Sequence, residues 1–226
     1  MNDLPLVYLL LPPAGYLIGA TPFGVLLARS RGVDLRAVGS GNVGATNVGR
    51  ALGAKWGYVC FLLDVAKGLL PTLAAGWLLR GDEFGVAIPR PPLAAQGVWL
   101  GVGLGCILGH VFSFYLRGRG GKGVATGLGV VLGVFPYFTW PGLVALGLWI
   151  VVTLASRYVS LGSVTAAAGF VPLFLAFNWP AGQLWPLAAF AVAMAALILL
   201  RHRTNIVRLW KGTENKIGRG GKGGRA

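Results

Sequence analysis

Three long apolar stretches, separated by short polar and basic segments, make up the first half of the chain. A helix needs about 20 residues to cross the roughly 30 Å hydrocarbon core of a bilayer. Residues 4–28 and 91–116 each contain one such stretch, and residues 56–79 supply another that is interrupted only by Asp64 and Lys67. The pattern predicts three membrane-spanning helices.

Two still longer apolar stretches follow in the second half of the chain. Residues 123–156 carry no charge and are punctuated by Pro136 and Pro141, which predicts two short helices joined by a turn. Residues 158–200 are interrupted by the turn-forming segment 178–182, which predicts two more helices. The hydrophobic pattern therefore predicts seven transmembrane helices in total.

Composition excludes the main alternatives to a membrane protein. Of the 226 residues, 55% are hydrophobic and 12% are charged, whereas ordinary soluble domains are about 45–50% apolar and about 25% charged. A soluble basic protein would need more polar residues on its surface, and disordered chains are poor in apolar residues. We therefore predict an all-α integral membrane protein.

The net charge of +14 follows from the predicted topology. With the N-terminus outside and the C-terminus in the cytoplasm, 17 of the 20 Lys and Arg residues lie inside, whereas only Arg80 and Arg90 lie outside. This asymmetry is the positive-inside rule. The charge then requires no nucleic-acid partner, and anionic membrane lipids are the expected surface partner. The predicted location is a membrane, with the basic connections on its cytoplasmic side.

The first cytoplasmic connection, residues 39–50, reads GSGNVGATNVGR. Closely spaced glycines allow the backbone N–H groups to wrap around an anion, and hydroxyl and amide side chains add donors. A plain flexible linker would not need two Asn, a Thr and an Arg in such a run. The candidate anion-binding residues here are Ser40, Gly41, Asn42, Gly44, Thr46, Asn47 and Arg50.

A second glycine-rich connection, residues 117–126, reads RGRGGKGVAT and leads into a predicted helix. It does not match the nucleotide P-loop, because Gly123 follows the lysine and Leu116 occupies the place of the first glycine. A glycine-rich turn before a helix N-terminus can still bind an anion. The candidates are Gly120, Gly121, Lys122 and Gly123.

Further polar residues follow the later spans. Ser160 lies in the connection 157–163, and the last span leads into His202, Asn205 and Arg208. Arg201, Asn205 and Arg208 would share one helical stripe. Glu214 is the only acidic residue of the C-terminal segment.

Asp64 and Lys67 lie in the middle of a predicted span, where each charge costs about 2.5–3.5 kcal/mol. Spacing of three residues lets them pair. Whether they are purely structural or line a site stays open at this point. His110 has the same two alternatives, a hydrogen-bonded packing residue or part of a site wall.

The polar residues collect on one side of the membrane and supply many anion donors but few acids. No Ser-His-Asp set or Cys-His pair stands in these connections. No carboxylate cluster could hold Mg²⁺. The prediction is a membrane-embedded site for phosphorylated substrates, without metal or cofactor. A transporter of a phosphorylated solute is the alternative, although it would place polar residues through the spans.

Several segments together resemble the bacterial acyl-phosphate–glycerol-3-phosphate acyltransferase family. They are residues 39–50, 120–126 (GGKGVAT) and 202–214 (HRTNIVRLWKGTE), with 64–68 (DVAKG) and 109–110 (GH) between them. The resemblance extends over about residues 4–217 in matching order. A departure is Ser113, where proline is expected in the family. Residues 1–217 are the predicted catalytic domain, and 218–226 a flexible basic tail.

The resemblance implies transfer of a fatty acyl group from acyl phosphate to the 1-hydroxyl of glycerol 3-phosphate. The products would be 1-acyl-glycerol 3-phosphate (lysophosphatidic acid) and phosphate, in the first acylation step of phospholipid synthesis. A soluble enzyme that makes acyl phosphate is a candidate partner. The acyl chain is expected between helices lined by Gly101, Gly105 and Gly109.

The resemblance also implies residue roles. The catalytic residues would be Ser40, Lys122, His202 and Asn205. The remaining candidates would bind substrate: Gly41, Asn42, Gly44, Thr46, Asn47, Arg50, Gly120, Gly121, Gly123, Ser160, Arg208 and Glu214. Either His202 or a substrate phosphate would accept the proton of the hydroxyl group, and the sequence does not decide between them.

Overall fold

The computed structural model describes residues 6–80, 92–179 and 182–217, and this part of the chain consists of helices joined by turns and loops, without a β-strand. The predicted tail, 218–226, lies outside the described residues. Short 3-10 turns precede or join some of the helices. The α-helices are α1 (Leu11–Ala20), α2 (Phe23–Arg29), α3 (Ala45–Leu52), α4 (Ala54–Arg80), α5 (Leu93–Val111), α6 (Val124–Gly133), α7 (Thr139–Ser156), α8 (Val159–Asn178), α9 (Trp185–Arg201) and α10 (Arg203–Trp210).

All of the predicted apolar segments are helical, but they differ in length. Within the described residues, five helical segments are long and apolar enough to span a membrane, and a sixth span results if α9 and α10, which meet at 57°, are counted together. Helix α6 has 10 residues and is about 15 Å long, half the thickness of the hydrocarbon core. The first predicted span is divided into α1 and α2 at Thr21 and Pro22. The count of seven crossings stays a prediction.

Glycines allow α1 and α5 to pack backbone against backbone. A Cβ atom on Gly105 would meet the Pro12 carbonyl oxygen, and one on Gly109 would meet the Tyr16 carbonyl oxygen. Gly101 faces the Pro12 ring in the same way. The expected acyl groove along these glycines is therefore wrong, because α1 fills the space that a chain would need.

A second close contact joins α4 to α6, where Gly68 faces the Thr126 carbonyl oxygen and Gly129 faces that of Val65. Helix α7 packs along α8, which also contacts α9. Phe138 lies at the centre of the core, with its ring edge-on to Phe170 and Phe174. These contacts hold the short helix α6 inside the bundle.

The buried ion pair predicted within α4 is present. Lys67 Nζ lies 2.8 Å from Asp64 Oδ1, and both side chains are at most 4% exposed. The same ammonium donates to the Thr21 carbonyl oxygen at 2.8 Å, at the break between α1 and α2. His110 Nδ1 of α5 lies 3.7 Å from Asp64 Oδ1. One polar cluster therefore joins three helices that are distant in sequence.

Two further hydrogen bonds join the end of α1 to the end of α5. The Ser113 hydroxyl donates to the Ala20 carbonyl oxygen at 2.6 Å. The Tyr16 hydroxyl donates to the Phe112 carbonyl oxygen at 2.9 Å. Ser113 thus satisfies a carbonyl that the break after α1 leaves free of its helical partner.

We expect replacement of Lys67 by Met to destabilise the protein, because it leaves the Asp64 carboxylate buried without its closest cation. Removing one partner of a buried pair costs about 3–5 kcal/mol. Thermal unfolding in detergent should show a clearly lower midpoint for Lys67→Met. The double variant Asp64→Asn/Lys67→Met should recover part of the loss, and Lys55→Met at an exposed lysine is the matched control. An unchanged midpoint for Lys67→Met would contradict the assigned role.

Candidate active site

A polar cavity of about 120 Å³ lies where α3, α4, α5, α6, α7, α8 and α10 meet. It brings together the four predicted site segments, which are far apart in sequence. The predicted site residues in its lining are Ser40, Asn42, Gly44, Thr46, Asn47, Arg50, Lys122, Gly123, Ser160, His202, Asn205, Arg208 and Glu214. Among the described residues, the predicted candidates outside this lining are Gly41, Gly120 and Gly121.

Asn47 holds the glycine-rich loop before α3 in shape. Its amide nitrogen donates to the Leu35 and Val38 carbonyl oxygens, each at 3.0 Å. Its amide oxygen accepts the Ser40 N–H at 2.9 Å. Asn47 is 1% exposed, so its polar atoms serve the loop, and the loop in turn presents Ser40 at the cavity.

The lysine loop is fixed to the end of α5. The Gly120 N–H donates to the Val111 carbonyl oxygen at 3.1 Å, and the Gly121 N–H donates to that of His110 at 3.0 Å. A Cβ atom on Gly121 would meet the His110 ring, so a larger residue would require that ring to move. Gly120 and Gly121 therefore place Lys122 instead of facing the cavity themselves.

Lys122 reaches across the cavity to α10. Its Nζ atom donates to Asn205 Oδ1 at 2.6 Å. Burial lowers its pKa to about 8, and although Glu214 opposes this shift, Arg208 and Arg50 add to it. The Lys122 ammonium therefore lies close to other positive charges, and its side-chain hydrogen bond is to a neutral amide. A bound phosphate would be stabilised there by these positive charges.

Glu214 organises the two donors that α10 presents. Asn205 Nδ2 donates to Glu214 Oε1 at 2.8 Å, and Arg208 Nε donates to Oε2 at 2.7 Å. Burial would raise the pKa of Glu214, but the hydrogen bonds from Arg208 and Asn205 outweigh it and hold the pKa below its usual value. An ionised Glu214 orients both side chains, and its own negative charge makes it a poor direct ligand for phosphate.

His202 stands at the bend between α9 and α10. Its Nδ1 atom lies 2.8 Å from the Ile198 carbonyl oxygen, which fixes the proton on Nδ1 and leaves Nε2 as an acceptor. Burial lowers the pKa of His202 to about 4, and the bond to Ile198 offsets only part of this effect. The imidazole is therefore neutral at physiological pH.

The ion cluster of α4 also borders the cavity, since Asp64 and His110 both belong to its lining. The two alternatives left open by the sequence are thus not exclusive: Asp64 is paired structurally with Lys67 and lies at the site wall. Because Asp64 is neutralised by Lys67, the other charged residues in the lining are three cations, Arg50, Lys122 and Arg208, and one anion, Glu214. The arrangement favours an anionic ligand.

An apolar cavity of about 80 Å³ adjoins the polar one. Phe61, Val124, Trp149 and Ser163 line both cavities. The indole N–H of Trp149 donates to the Ser163 hydroxyl at 3.2 Å at this junction. A ligand with a charged head and an apolar tail could occupy both cavities at once.

Sequence reasoning missed the junction residues. Ser163 lies one helical turn after Ser160, so the same periodicity that made Ser160 a candidate could have found it. Phe61 and Trp149 stand in uninterrupted apolar runs, where no sequence signal separates a cavity wall from an ordinary packing residue.

Comparison with known proteins accords with this geometry. A model of the glycerol-3-phosphate acyltransferase family matches residues 9–212. The glycerol-3-phosphate acyltransferase of Geobacter sulfurreducens is 45% identical over 210 residues, which cover 92% of this chain and 97% of the relative. The enzyme of that name from Aquifex aeolicus is 43% identical over 203 residues, or 89% and 95% of the two chains.

Solved structures agree. The crystal structure of PlsY (YgiH), an integral membrane glycerol 3-phosphate acyltransferase, in its glycerol 3-phosphate form superposes with a TM-score of 0.78 at 40% identity, covering 94% of this chain and 96% of that one. Its lysophosphatidic acid form gives a TM-score of 0.76 at 38% identity. Fold and site together define an integral membrane acyltransferase. More specifically, the chain belongs to the glycerol-3-phosphate acyltransferase family.

The charge of Lys122 predicts a pH dependence. With a pKa of about 8, the amine is protonated below that value and neutral above it, so phosphate binding should weaken as the pH rises through 8. The second pKa of a phosphate monoester is about 6, so its charge is constant over this range.

We expect kcat/KM for glycerol 3-phosphate, which reports the free enzyme, to fall about tenfold for each pH unit above about 8. Lys211→Ala, which removes an exposed lysine outside the cavity, should show the same fall of kcat/KM above pH 8 as the wild type. A profile that stays flat up to pH 9.5 would show that the Lys122 charge is not required.

Proposed function

We propose that the protein transfers a fatty acyl group from acyl phosphate to the 1-hydroxyl of glycerol 3-phosphate, giving 1-acyl-glycerol 3-phosphate and phosphate. The observation that carries this proposal is the pair of adjoining cavities. One is lined by cations and amide donors, and the other by apolar side chains. Family membership supports the acceptor, since a relative is described in a glycerol 3-phosphate form.

The donor is inferred from the cations around the polar cavity. An acyl phosphate brings its own anionic leaving group. Lys122, Arg50 and Arg208 line the same cavity and could stabilise the phosphates of both donor and acceptor. The adjoining apolar cavity between α6, α7, α8 and α9 would take the acyl chain. This placement replaces the groove expected along α5.

The proposed reaction is a direct transfer. The hydroxyl oxygen of glycerol 3-phosphate attacks the acyl carbonyl carbon, a new C–O ester bond forms, and the C–O bond to phosphate breaks. Phosphate leaves with the bonding electron pair, and the hydroxyl proton passes to an oxygen of a substrate phosphate. Because the donor is already activated, positioning and charge stabilisation supply the barrier reduction without an acyl-enzyme.

We assign His202 a positioning role. An effective general base has a pKa near the working pH, whereas that of His202 lies near 4. Its Nε2 atom can accept a hydrogen bond from the substrate hydroxyl and orient it toward the donor. Ser40 and Asn205 would hold the remaining polar atoms of glycerol 3-phosphate in the same cavity.

The proposed setting is the bacterial cytoplasmic membrane, with seven crossings, the N-terminus outside and the site facing the cytoplasm. The charge asymmetry of the loops supports this orientation. There the enzyme would catalyse the first acylation of phospholipid synthesis and receive acyl phosphate from a soluble enzyme. Family membership leaves the transporter alternative without support.

The central test is an assay of the purified protein in detergent with palmitoyl phosphate and labelled glycerol 3-phosphate. We expect lysophosphatidic acid and phosphate in equal amounts, and no product when palmitoyl-coenzyme A replaces palmitoyl phosphate. Lys122→Ala should lower turnover about 100-fold or more, as removal of a preorganised charge donor does. Lys55→Ala, outside the cavity, is the control. Equal activity with palmitoyl-coenzyme A would refute the donor assignment.

A second test separates positioning from proton abstraction at His202. If the imidazole only orients the hydroxyl, His202→Gln should reduce kcat/KM by less than about 100-fold, since general base catalysis contributes 100- to 10,000-fold. Steady-state kinetics in detergent with both substrates provide the measurement. A loss beyond 1000-fold, in a variant with an unchanged unfolding midpoint, would assign the base function to His202.

A further inference from the structure

We propose that Gly127 is a specificity-determining residue that keeps the apolar cavity open to long acyl chains. The inference rests on the proposed function, because it takes the acyl group of the donor as the occupant of that cavity. It concerns a property that neither the family match nor the names of the relatives address, namely which acyl chains the enzyme accepts.

Gly127 lies on the path that an acyl chain would follow. Lys122 and Gly123 border the polar cavity, Val124 lines both cavities, and Gly127 and Val131 line only the apolar one. Along α6, Gly127 is about 4.5 Å beyond Val124 and Val131 about 10 Å beyond it. A chain anchored by its phosphate must therefore pass Gly127 to reach the deeper part.

The space beside Gly127 belongs to the cavity. A Cβ atom at this position would lie 3.5 Å from Ile198 Cδ1 and 3.9 Å from Met194 Sδ, and both of these α9 residues line the apolar cavity. These are ordinary van der Waals distances, so alanine fits without a clash. A side chain at position 127 would nevertheless occupy volume between α6 and α9 that is now empty.

The other glycines of the region have different environments. Gly129 faces the backbone of α4, and Gly142 faces the Val131 side chain, so each already contacts another group closely. Helix packing explains those two glycines but does not explain Gly127. Glycine also destabilises a helix relative to alanine. The benefit that offsets this cost at position 127 is the open space in the apolar cavity.

The test compares donors of different chain length. Phosphate release that depends on glycerol 3-phosphate is measured with butyryl, octanoyl and palmitoyl phosphate for the wild type, Gly127→Ala and Gly127→Val in detergent. Because Gly127 lies about one helical turn beyond Val124, where the two cavities join, a side chain at position 127 should affect a four-carbon chain least and a palmitoyl chain most. We expect the palmitoyl-to-butyryl ratio of kcat/KM to fall about fourfold for Gly127→Ala and tenfold or more for Gly127→Val.

Two further variants distinguish specificity from general damage. Gly147→Ala on α7, where an added Cβ meets nothing within 4 Å, should keep the wild-type ratio. In Gly127→Val/Met194→Ala the opposite wall is cut back, and the ratio should recover. An unchanged ratio in Gly127→Ala, or loss of activity with every donor in that variant, would overturn the proposal. Failure of the wild type with all three acyl phosphates would instead overturn the proposed function.

Discussion

A buried charge must be neutralised by the protein itself, and the Asp64–Lys67 pair determines much of the architecture for this reason. Both side chains of the pair are at most 4% exposed, so their remaining hydrogen-bonding capacity is directed at neighbouring helices. Lys67 donates a hydrogen bond to the Thr21 carbonyl oxygen at the break between α1 and α2. Asp64 faces His110, whose ring and carbonyl lie against the lysine loop. Lys122 is thus positioned, through His110 and the glycines before it, by an ion pair that does not contact it.

Close backbone contacts complement this polar cluster. The glycines that join α1 to α5 and α4 to α6 remove the separation that side chains would impose. In a bilayer, where apolar side chains gain little from association, such van der Waals contact is a main source of helix packing. The result is close backbone packing between α1 and α5 and between α4 and α6. The apolar cavity lies beside α6 and is lined chiefly by residues of α6, α7, α8 and α9.

Much of the helical organisation and most of the site followed from the sequence, because both depend on patterns. Apolar runs give helices in a membrane, and the polar connections collect at one end of the bundle, so thirteen of the sixteen predicted site residues line one cavity. The sequence could not show which way each polar side chain points. The amide of Asn47 makes hydrogen bonds within its own loop, and Glu214 accepts hydrogen bonds from Asn205 and Arg208. A polar side chain near a site looks the same in sequence whether it faces substrate or backbone.

The glycines posed the same difficulty. Gly101, Gly105 and Gly109 suggested room for a lipid tail, but glycine permits the approach of a helix as readily as that of a ligand, and here α1 occupies the space. The length of α6 was also beyond prediction, since its end at Gly133 depends on how the following turn packs against the aromatic core. Tertiary contacts decide both questions.

The segment after α10 completes the site through contacts with distant parts of the chain. Glu214 holds Asn205 and Arg208, the Asn215 carbonyl oxygen accepts from Arg50 at 3.4 Å, and the Ile217 N–H donates to the Arg157 carbonyl oxygen at 2.8 Å. These contacts reach back to Arg50 in α3 and to Arg157 in the loop before α8. One wall of the polar cavity is therefore supplied by a segment that follows the last helix, and the Arg50–Asn215 contact joins residues 165 positions apart in sequence. The complete cavity thus exists only in the folded bundle, because none of its short segments forms it alone.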